Sequence, residues 1–273
     1  MTLVVIGPVT EDLVIIGEDK YSKTGGATYF QSFVFEEFYP DYLAIVNCAD
    51  DKFACNFPDP DKVKIIKKDN THFFINEYPF PDDLDIRRQL SNFADIPILK
   101  GDLEDILPEN IDGFVLNPLN RFDFPVETVE FLKSFEIPVF ISLQGFLRTP
   151  FDKANENFTI DLQDFDELHS ILKGVSIIFL DESEKSIVSD RFDVDEMVIT
   201  DGSNGSRIIS DDEIKIDAVG CGSVVDTTGC GDTYMAAYIS QRLKAKSSKQ
   251  AGNFASLIAS EKINYFGPYK SKK

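Results

Sequence analysis

Residues 224–234 read VVDTTGCGDTY, and from Thr233 the chain continues TYMAAYISQRL. Two β-branched residues lead in and a helix-forming run leads out. Between them stand two aspartates, two threonines and two glycines. The simplest reading is a glycine turn followed by a helix capped by a carboxylate, a common arrangement. That reading leaves Asp226, Thr227 and Thr228 unexplained. Glycines at 229 and 231 let the backbone turn sharply and bring bare amides close to a ligand. A helix N-terminus offers unpaired N–H groups and positive partial charge to an anion. A carboxylate set beside such a cradle suits phosphoryl transfer. The amides stabilise charge on the moving group, and the carboxylate, Asp232, takes the proton of an attacking hydroxyl. The chain contains no GxxxxGK[ST], and GCGDTY lacks the third glycine of GxGxxG.

Outward from this stretch, short apolar runs alternate with amphipathic ones. LVVIG (3–7), YLAIV (42–46), VKIIK (63–67), GFVLN (113–117), PVFISL (138–143), VSIIFL (175–180) and EMVIT (196–200) are predicted strands. Several are apolar on both faces, the pattern of a parallel sheet covered by helices. TYFQSFVFEEF (28–38), VETVEFLKSF (126–135), LQDFDELHSIL (162–172), TYMAAYISQRL (233–243) and QAGNFASLIASEKI (250–263) are predicted helices. The alternation points to right-handed βαβ units in one α/β domain over 1–273, with a doubly wound, mostly parallel sheet between helical layers. Residues 13–26 and 70–80 fit less well and suggest a small flap at the sheet's carboxyl edge. Residues 206–217 suggest a hairpin with an acidic turn.

Composition narrows the function classes. The 273 residues are 43% hydrophobic and carry 47 acids against 27 bases, a formal net charge of −20. Such a surface repels nucleic-acid backbones and anionic membranes, so neither is an expected partner. A small anion still binds where local donors outweigh the distant field. Cys48, Cys55, Cys221 and Cys230 form no zinc pattern and suggest free thiols in a reducing, cytoplasmic setting. MTLVVIGPV reads as a first strand rather than a signal peptide, and no apolar run reaches membrane-spanning length. His72 and His169 have no evident partner in the sequence.

The motif DTTGCGDTY resembles the D-T-x-G-A-G-D signature of the ribokinase-like family, the PfkB-type carbohydrate kinases, with Cys230 where Ala is usual. The same order of elements continues along most of the chain. VVIGPVTED resembles the family's first strand, with Gly7 and Asp12. TGGATYF resembles its early glycine pair, Gly25 and Gly26. LDESE resembles N-x-x-E near the metal-phosphate site, with Asp181 and Glu184. TDGSNG resembles the nucleotide loop, with Thr200, Gly202 and Gly205. AGNFASLIAS resembles a late helix whose Asn, here Asn253, lies near adenine. The resemblance implies a three-layer ribokinase-like fold and an ATP- and Mg2+-dependent kinase. In it Asp232 is the base, Gly229, Cys230 and Gly231 form the anion hole, and Asp12 with Gly25 and Gly26 binds a polyhydroxy substrate. Asp181 and Glu184 stand near the metal. Asp226 is left as structural or cation-related, since a monovalent cation activates some relatives.

Three departures bear on the substrate. Phe30 stands where sugar kinases of the family often carry Asn, Asp181 replaces the usual Asn, and Ser142 replaces an Asp. ISLQGFLR (141–148) resembles a segment of archaeal-type inositol kinases and adds Gln144 and Arg148 to the candidate site. LNPL (116–119) and THFFINEY resemble the same subgroup. An inositol-like polyol or a sugar is therefore the expected acceptor. A nucleoside kinase or a non-catalytic nucleotide- or metabolite-binding member of the same fold are the alternatives. A minimal β lid over about 13–24 and 71–78, with Val14, Ile16, Phe73 and Ile75 covering the substrate, would exclude water. Lids in this family sometimes pair between subunits, so a monomer or a lid-mediated homodimer is expected.

Overall fold

The computed structural model describes residues 1–79, 88–154, 156–188, 192–220, 222 and 224–271. Cys221, the end of the 70–80 stretch and the last two residues of the basic tail lie outside them. In chain order the strands are β1 (Thr2–Ile6), β2 (Thr10–Ile16), β3 (Asp19–Gly25), β4 (Tyr42–Cys48), β5 (Val63–Lys67), β6 (His72–Tyr78), β7 (Arg88–Ser91), β8 (Ile111–Leu116), β9 (Val139–Ser142), β10 (Arg148–Ala154), β11 (Asn157–Leu162), β12 (Val175–Asp181), β13 (Val194–Thr200), β14 (Ser206–Ile209) and β15 (Glu213–Ile216). The helices are α1 (Ala27–Phe38), α2 (Lys100–Glu104), α3 (Val126–Lys133), α4 (Gln144–Leu147), α5 (Leu168–Leu172), α6 (Glu182–Ile187), α7 (Cys230–Arg242) and α8 (Ser248–Lys262).

The main sheet has the order β15-β14-β13-β12-β9-β8-β1-β4-β5. The strands from β13 to β5 run parallel, and they contain all seven apolar runs predicted as strands. The hairpin β14–β15 closes one edge in antiparallel fashion. Alternate residues of each parallel strand feed two cores. Leu3 and Val5 of β1 pack with α1, α7 and α8, whereas Val4 and Ile6 pack with α2, α3, α4 and α5. All four are fully buried, each worth roughly 1.5–3 kcal/mol of transfer free energy. Chain order reverses at β1, which lies between β4 and β8, and in such sheets ligands bind beyond the carboxyl ends at this point. Among the described residues no helix is long and apolar enough to cross a membrane.

A second sheet has the order β10-β11-β7-β6-β2-β3. The two stretches expected as a flap pair within it, since β2 runs parallel to β6 and antiparallel to β3. The sheet is wider than that flap, because β7, β10 and β11 extend it. The helix predicted over 162–172 is a correction: β11 runs to Leu162, and only Leu168–Leu172 is helical. The apolar spacing of Leu162, Phe165, Leu168 and Leu172 mimics a helical period across a strand end and a turn.

His72 also differs from expectation. Its Nε2 lies 3.0 Å from Asp123 Oδ1, and both side chains are buried. Asp123 Oδ2 accepts the amides of Leu119 and Asn120. This pair ties β6 to the loop after β8.

Candidate active site

Between the carboxyl ends of the main sheet and the inner face of the second sheet lies a cavity of about 620 Å³. Its floor is the turn of the opening motif. Gly229 is the N-cap of α7 and adopts φ +76, ψ 9, the left-handed region that favours glycine. A Cβ at Gly229 would stand 2.4 Å from the Phe30 ring. Phe30 thus packs under the turn and also lines the cavity. Asp226 Oδ1 accepts the Thr228 amide at 2.9 Å and shapes the turn. A Cβ at Gly231 would meet nothing within 4 Å, so this face of the helix start is open. Cys230 differs: it is absent from the cavity wall, and its amide donates to Thr227 O at 3.1 Å.

Asp232 lies in the first turn of α7 and reaches the cavity. Burial pushes its carboxyl up to about 6, against the pull of Arg148 and Lys262. A carboxylate with this pKa is ionised at neutral pH and still basic enough to accept a proton.

At the ends of β12 and α6, Asp181 and Glu184 cap one another. Asp181 Oδ1 accepts the Glu184 amide at 2.8 Å, and Glu184 Oε2 accepts the Asp181 amide at 2.9 Å. Asp181 therefore has a structural task, N-capping α6, that an Asn would perform equally well. Glu184 is buried, and its carboxyl rises to about 7. Burial is the main cause and the neighbouring Asp181 charge adds to it, while the Asp181 amide, Arg148 and Gln144 oppose. Among the described residues no group of three or more His, Cys, Asp or Glu could hold a metal by itself. Two adjacent carboxylates, one of them raised by the charge of the other, fit a hard cation that phosphate oxygens bring with them.

The second sheet supplies the opposite wall. Thr10, Asp12, His72, Asn76, Ser91 and Arg148 are all buried polar residues on its strands, an unusual inner face for a sheet that merely covers a core. Thr10 Oγ1 donates to Asp12 Oδ1 at 2.7 Å and orients it. A Cβ at Gly25 would meet Asp12 Oδ2 at 2.4 Å, so this glycine clears room for the carboxylate. Gly26, at φ +97, starts α1 at the cavity wall. Arg148 points its guanidinium at Gln89, 3.5 Å away, and lies over the Phe74 ring. It begins β10 directly after α4, which also holds Gln144.

The cavity thus gathers Asp12, Gly26, Gln144, Arg148, Asp181, Glu184, Thr200, Gly202, Gly229, Gly231 and Asp232. Other candidates lie elsewhere. Gly25 stands behind Asp12. Gly205, at φ +93, backs onto Ile216 O, where a Cβ would come within 2.1 Å. Asn253 is exposed on α8, away from the cavity wall. Asp226 lies behind the turn, paired with Lys262.

Thr10, Phe74, Tyr78 and Gln89 line the cavity and were not singled out by sequence reasoning. Strand alternation was the available signal for three of them. On β2 and β6, residues in step with Asp12 face inward, so Phe74 and Tyr78 cover the cavity while Phe73 and Ile75 point to the other face. Val14 and Ile16 meet the 224–228 loop at a smaller adjoining hollow.

Comparisons with known proteins bear on the same elements. Residues 162–273 match the pfkB family carbohydrate kinases. A nucleoside kinase of Methanothermobacter thermautotrophicus is 47% identical over 64 residues, 23% of this chain and 20% of that protein. The chain thus matches about a fifth of the length of this curated relative. Across 98% of the chain, the fold superposes with a TM-score of 0.83 on 97% of a pyrophosphate-dependent kinase in the ribokinase family, solved with a pyrophosphate analog and myo-inositol, at 21% identity. Arabidopsis thaliana ribokinase, solved with ribose and ATP, superposes over 97% of this chain and 93% of its own with a TM-score of 0.72 at 19% identity. The chain has the ribokinase-like fold, and its segment 162–273, which carries Asp181, Glu184 and the glycine turn with Asp232, matches the pfkB family carbohydrate kinases.

Proposed function

We propose that this protein is a phosphotransferase that moves the terminal phosphoryl group of ATP to a hydroxyl of a small polyol or sugar. One observation carries the reading: a single cavity holds the Asp232 carboxylate, the open Gly229–Gly231 turn, Arg148 and the oriented Asp12. Asp12 accepts from vicinal hydroxyls and sets the acceptor against the turn. Asp232 takes the proton as the hydroxyl oxygen forms its bond to phosphorus and the bond to the ADP oxygen breaks. The amides of the turn and the Arg148 guanidinium hold the charge of the transferring group. Asp181 and Glu184 would hold Mg2+, directly or through water, and the ion would neutralise the donor's phosphate oxygens. Thr200 and Gly202 line the donor end. Phe74 and Tyr78, above the acceptor, exclude water that would otherwise compete for the phosphoryl group.

Two second readings have their own support. Phe30, Phe74 and Tyr78, three of the four aromatic residues that line the cavity, share it with Asp12; stacked on a base, they favour a nucleoside acceptor. No residue of α8 lines the cavity, and Gly252 packs so tightly that a Cβ would meet Ile216 at 2.7 Å. The donor end therefore suits a bare polyphosphate such as pyrophosphate as well as a nucleotide. The test is a panel of polyols, sugars and nucleosides against ATP and pyrophosphate, with product phosphate ester detected directly. Transfer to any hydroxyl that disappears in Asp232→Asn supports the kinase reading. Donor binding with no transfer to any acceptor would leave a non-catalytic binding protein instead.

A further inference from the structure

Lys262, the last residue of α8, is fully buried. An ammonium ion in such a place costs several kcal/mol unless it is paired. Its Nζ donates to the main-chain carbonyl oxygen of Asp226 at 2.7 Å and lies 3.5 Å from Asp226 Oδ2. The same carboxylate accepts the amides of Thr228, at 2.9 Å, and Gly267, at 3.1 Å. Lys262 therefore sits on the reverse of the turn whose front, Thr227, Thr228 and Gly229, lines the cavity. Hydrogen bonds to two amides already shape Asp226; what they do not supply is a compensating charge. Without one, a fixed carboxylate would stand directly behind the amides that must attract an anion. The field of Lys262 also reaches Asp232, where it opposes the effect of burial.

We propose that Lys262 is a tethered cation for the phosphoryl-transfer site. It is a positioning residue whose ammonium holds the 226–229 turn and cancels the Asp226 charge behind the donor phosphates, so that the site takes no free monovalent cation at Asp226. The proposal rests on the kinase reading above and assigns a function to a residue outside its machinery. An ammonium satisfies a carbonyl oxygen and a carboxylate together at this spot and supplies the positive charge that a neutral donor lacks, as a small monovalent cation would in its place. A neutral side chain of the same length fills the volume and leaves Asp226 with only the weaker field of Lys23, a partly exposed residue of β3.

Pyrophosphate and ATP binding, measured by calorimetry in choline chloride and in potassium chloride, tests it. Wild-type protein should bind its donor equally in both salts, within about twofold. Lys262→Met should bind at least tenfold more weakly in either salt, because its side chain blocks the position. Lys262→Ala should be equally weak in choline and should regain at least threefold on addition of potassium or ammonium. A purely structural lysine would lower the melting temperature of both variants without creating this cation dependence. Donor binding by the wild type that improves fivefold or more with potassium would overturn the proposal, as would Lys262→Met binding like wild type. The first of these needs no variant, so a folding failure of either substitution leaves the test intact. Wild-type protein that binds neither donor and shows no transfer would overturn the kinase reading, and this proposal with it.

Discussion

The two sheets meet at one cavity but are built on different terms. The parallel strands of the main sheet are apolar on both faces and lie between two cores, so the loops at their carboxyl ends are fixed by rigid packing. The second sheet turns a polar face inward, with Thr10, Asp12, Asn76, Ser91 and Arg148 buried there. Its outer positions are largely part-exposed, and β10 and β11 contribute little to either core. The first sheet holds the groups that the proposed reaction needs fixed, the Gly229–Gly231 turn and Asp232. The second presents polar groups that are already tied to one another, Thr10 to Asp12 and Gln89 to both Asn76 and Arg148. This division suits a reaction in which one side holds the donor and base while the other admits, orients and covers the acceptor.

Substitutions on the two sides should separate accordingly, and the largest effect belongs to Asp232, the proposed base. Asp232→Asn is expected to lower kcat by about 10²–10⁴-fold, with donor affinity within a few-fold of wild type by calorimetry. Equal loss of binding and turnover would mean that Asp232 holds the turn rather than the proton. Arg148→Met is next, at about 10²-fold in kcat/KM. It tests whether the second sheet contributes to the chemistry itself; an effect confined to acceptor KM would return Arg148 to substrate binding alone.

The pH dependence is the third expected effect. With Asp232 raised to about 6, kcat/KM should fall about tenfold by pH 5 as the base is protonated, and should level off above pH 7. The linkage to stability has the opposite sense. The native pKa lies above the ordinary aspartate value of 3.8, so the folded state binds this proton more tightly. The stability it contributes is complete below about pH 4 and is lost as pH rises through about 6. Asp232→Asn should therefore melt higher than wild type at pH 7 or above. A lower melting point there would show that the charge stabilises the fold. The smallest effect compares adjacent residues of one strand. Phe74→Ala should raise acceptor KM several-fold, whereas Phe73→Ala, on the opposite face, should change it less than twofold. Equal effects would mean that β6 does not form the cover of the cavity.

The main sheet was legible because burial on both faces leaves continuous apolar runs, and each of the seven became a parallel strand. The second sheet was only partly legible. RQLS and RTPFDKA carry no clean alternation of apolar residues, and NFTIDL, which does alternate with Phe158, Ile160 and Leu162 on one face, is only half-buried along its length. The same cause hid Gln89, on β7. Phe73 and Ile75 lie out of step with Asp12 and so point away from the cavity, whose cover comes from Phe74 and Tyr78.

The sequence by itself determined the glycine turn at the start of α7. Asp226, Thr228, Gly229, Gly231 and Asp232 lie within seven residues, and glycine geometry, an Asx turn and a helix start are local properties. It likewise determined the central sheet, whose apolar periods are local too. The tertiary structure alone decided which distant groups meet that turn. Arg148 approaches Asp232 and Glu184, Phe30 fills the space left by Gly229, and Lys262 reaches Asp226 from the far end of α8. Each partner comes from a separate element whose position is set by packing on a common core. A buried charge or ring that finds its partner across such a distance leaves no period in the chain, because its energy depends on surroundings that exist only once the sheets have closed together.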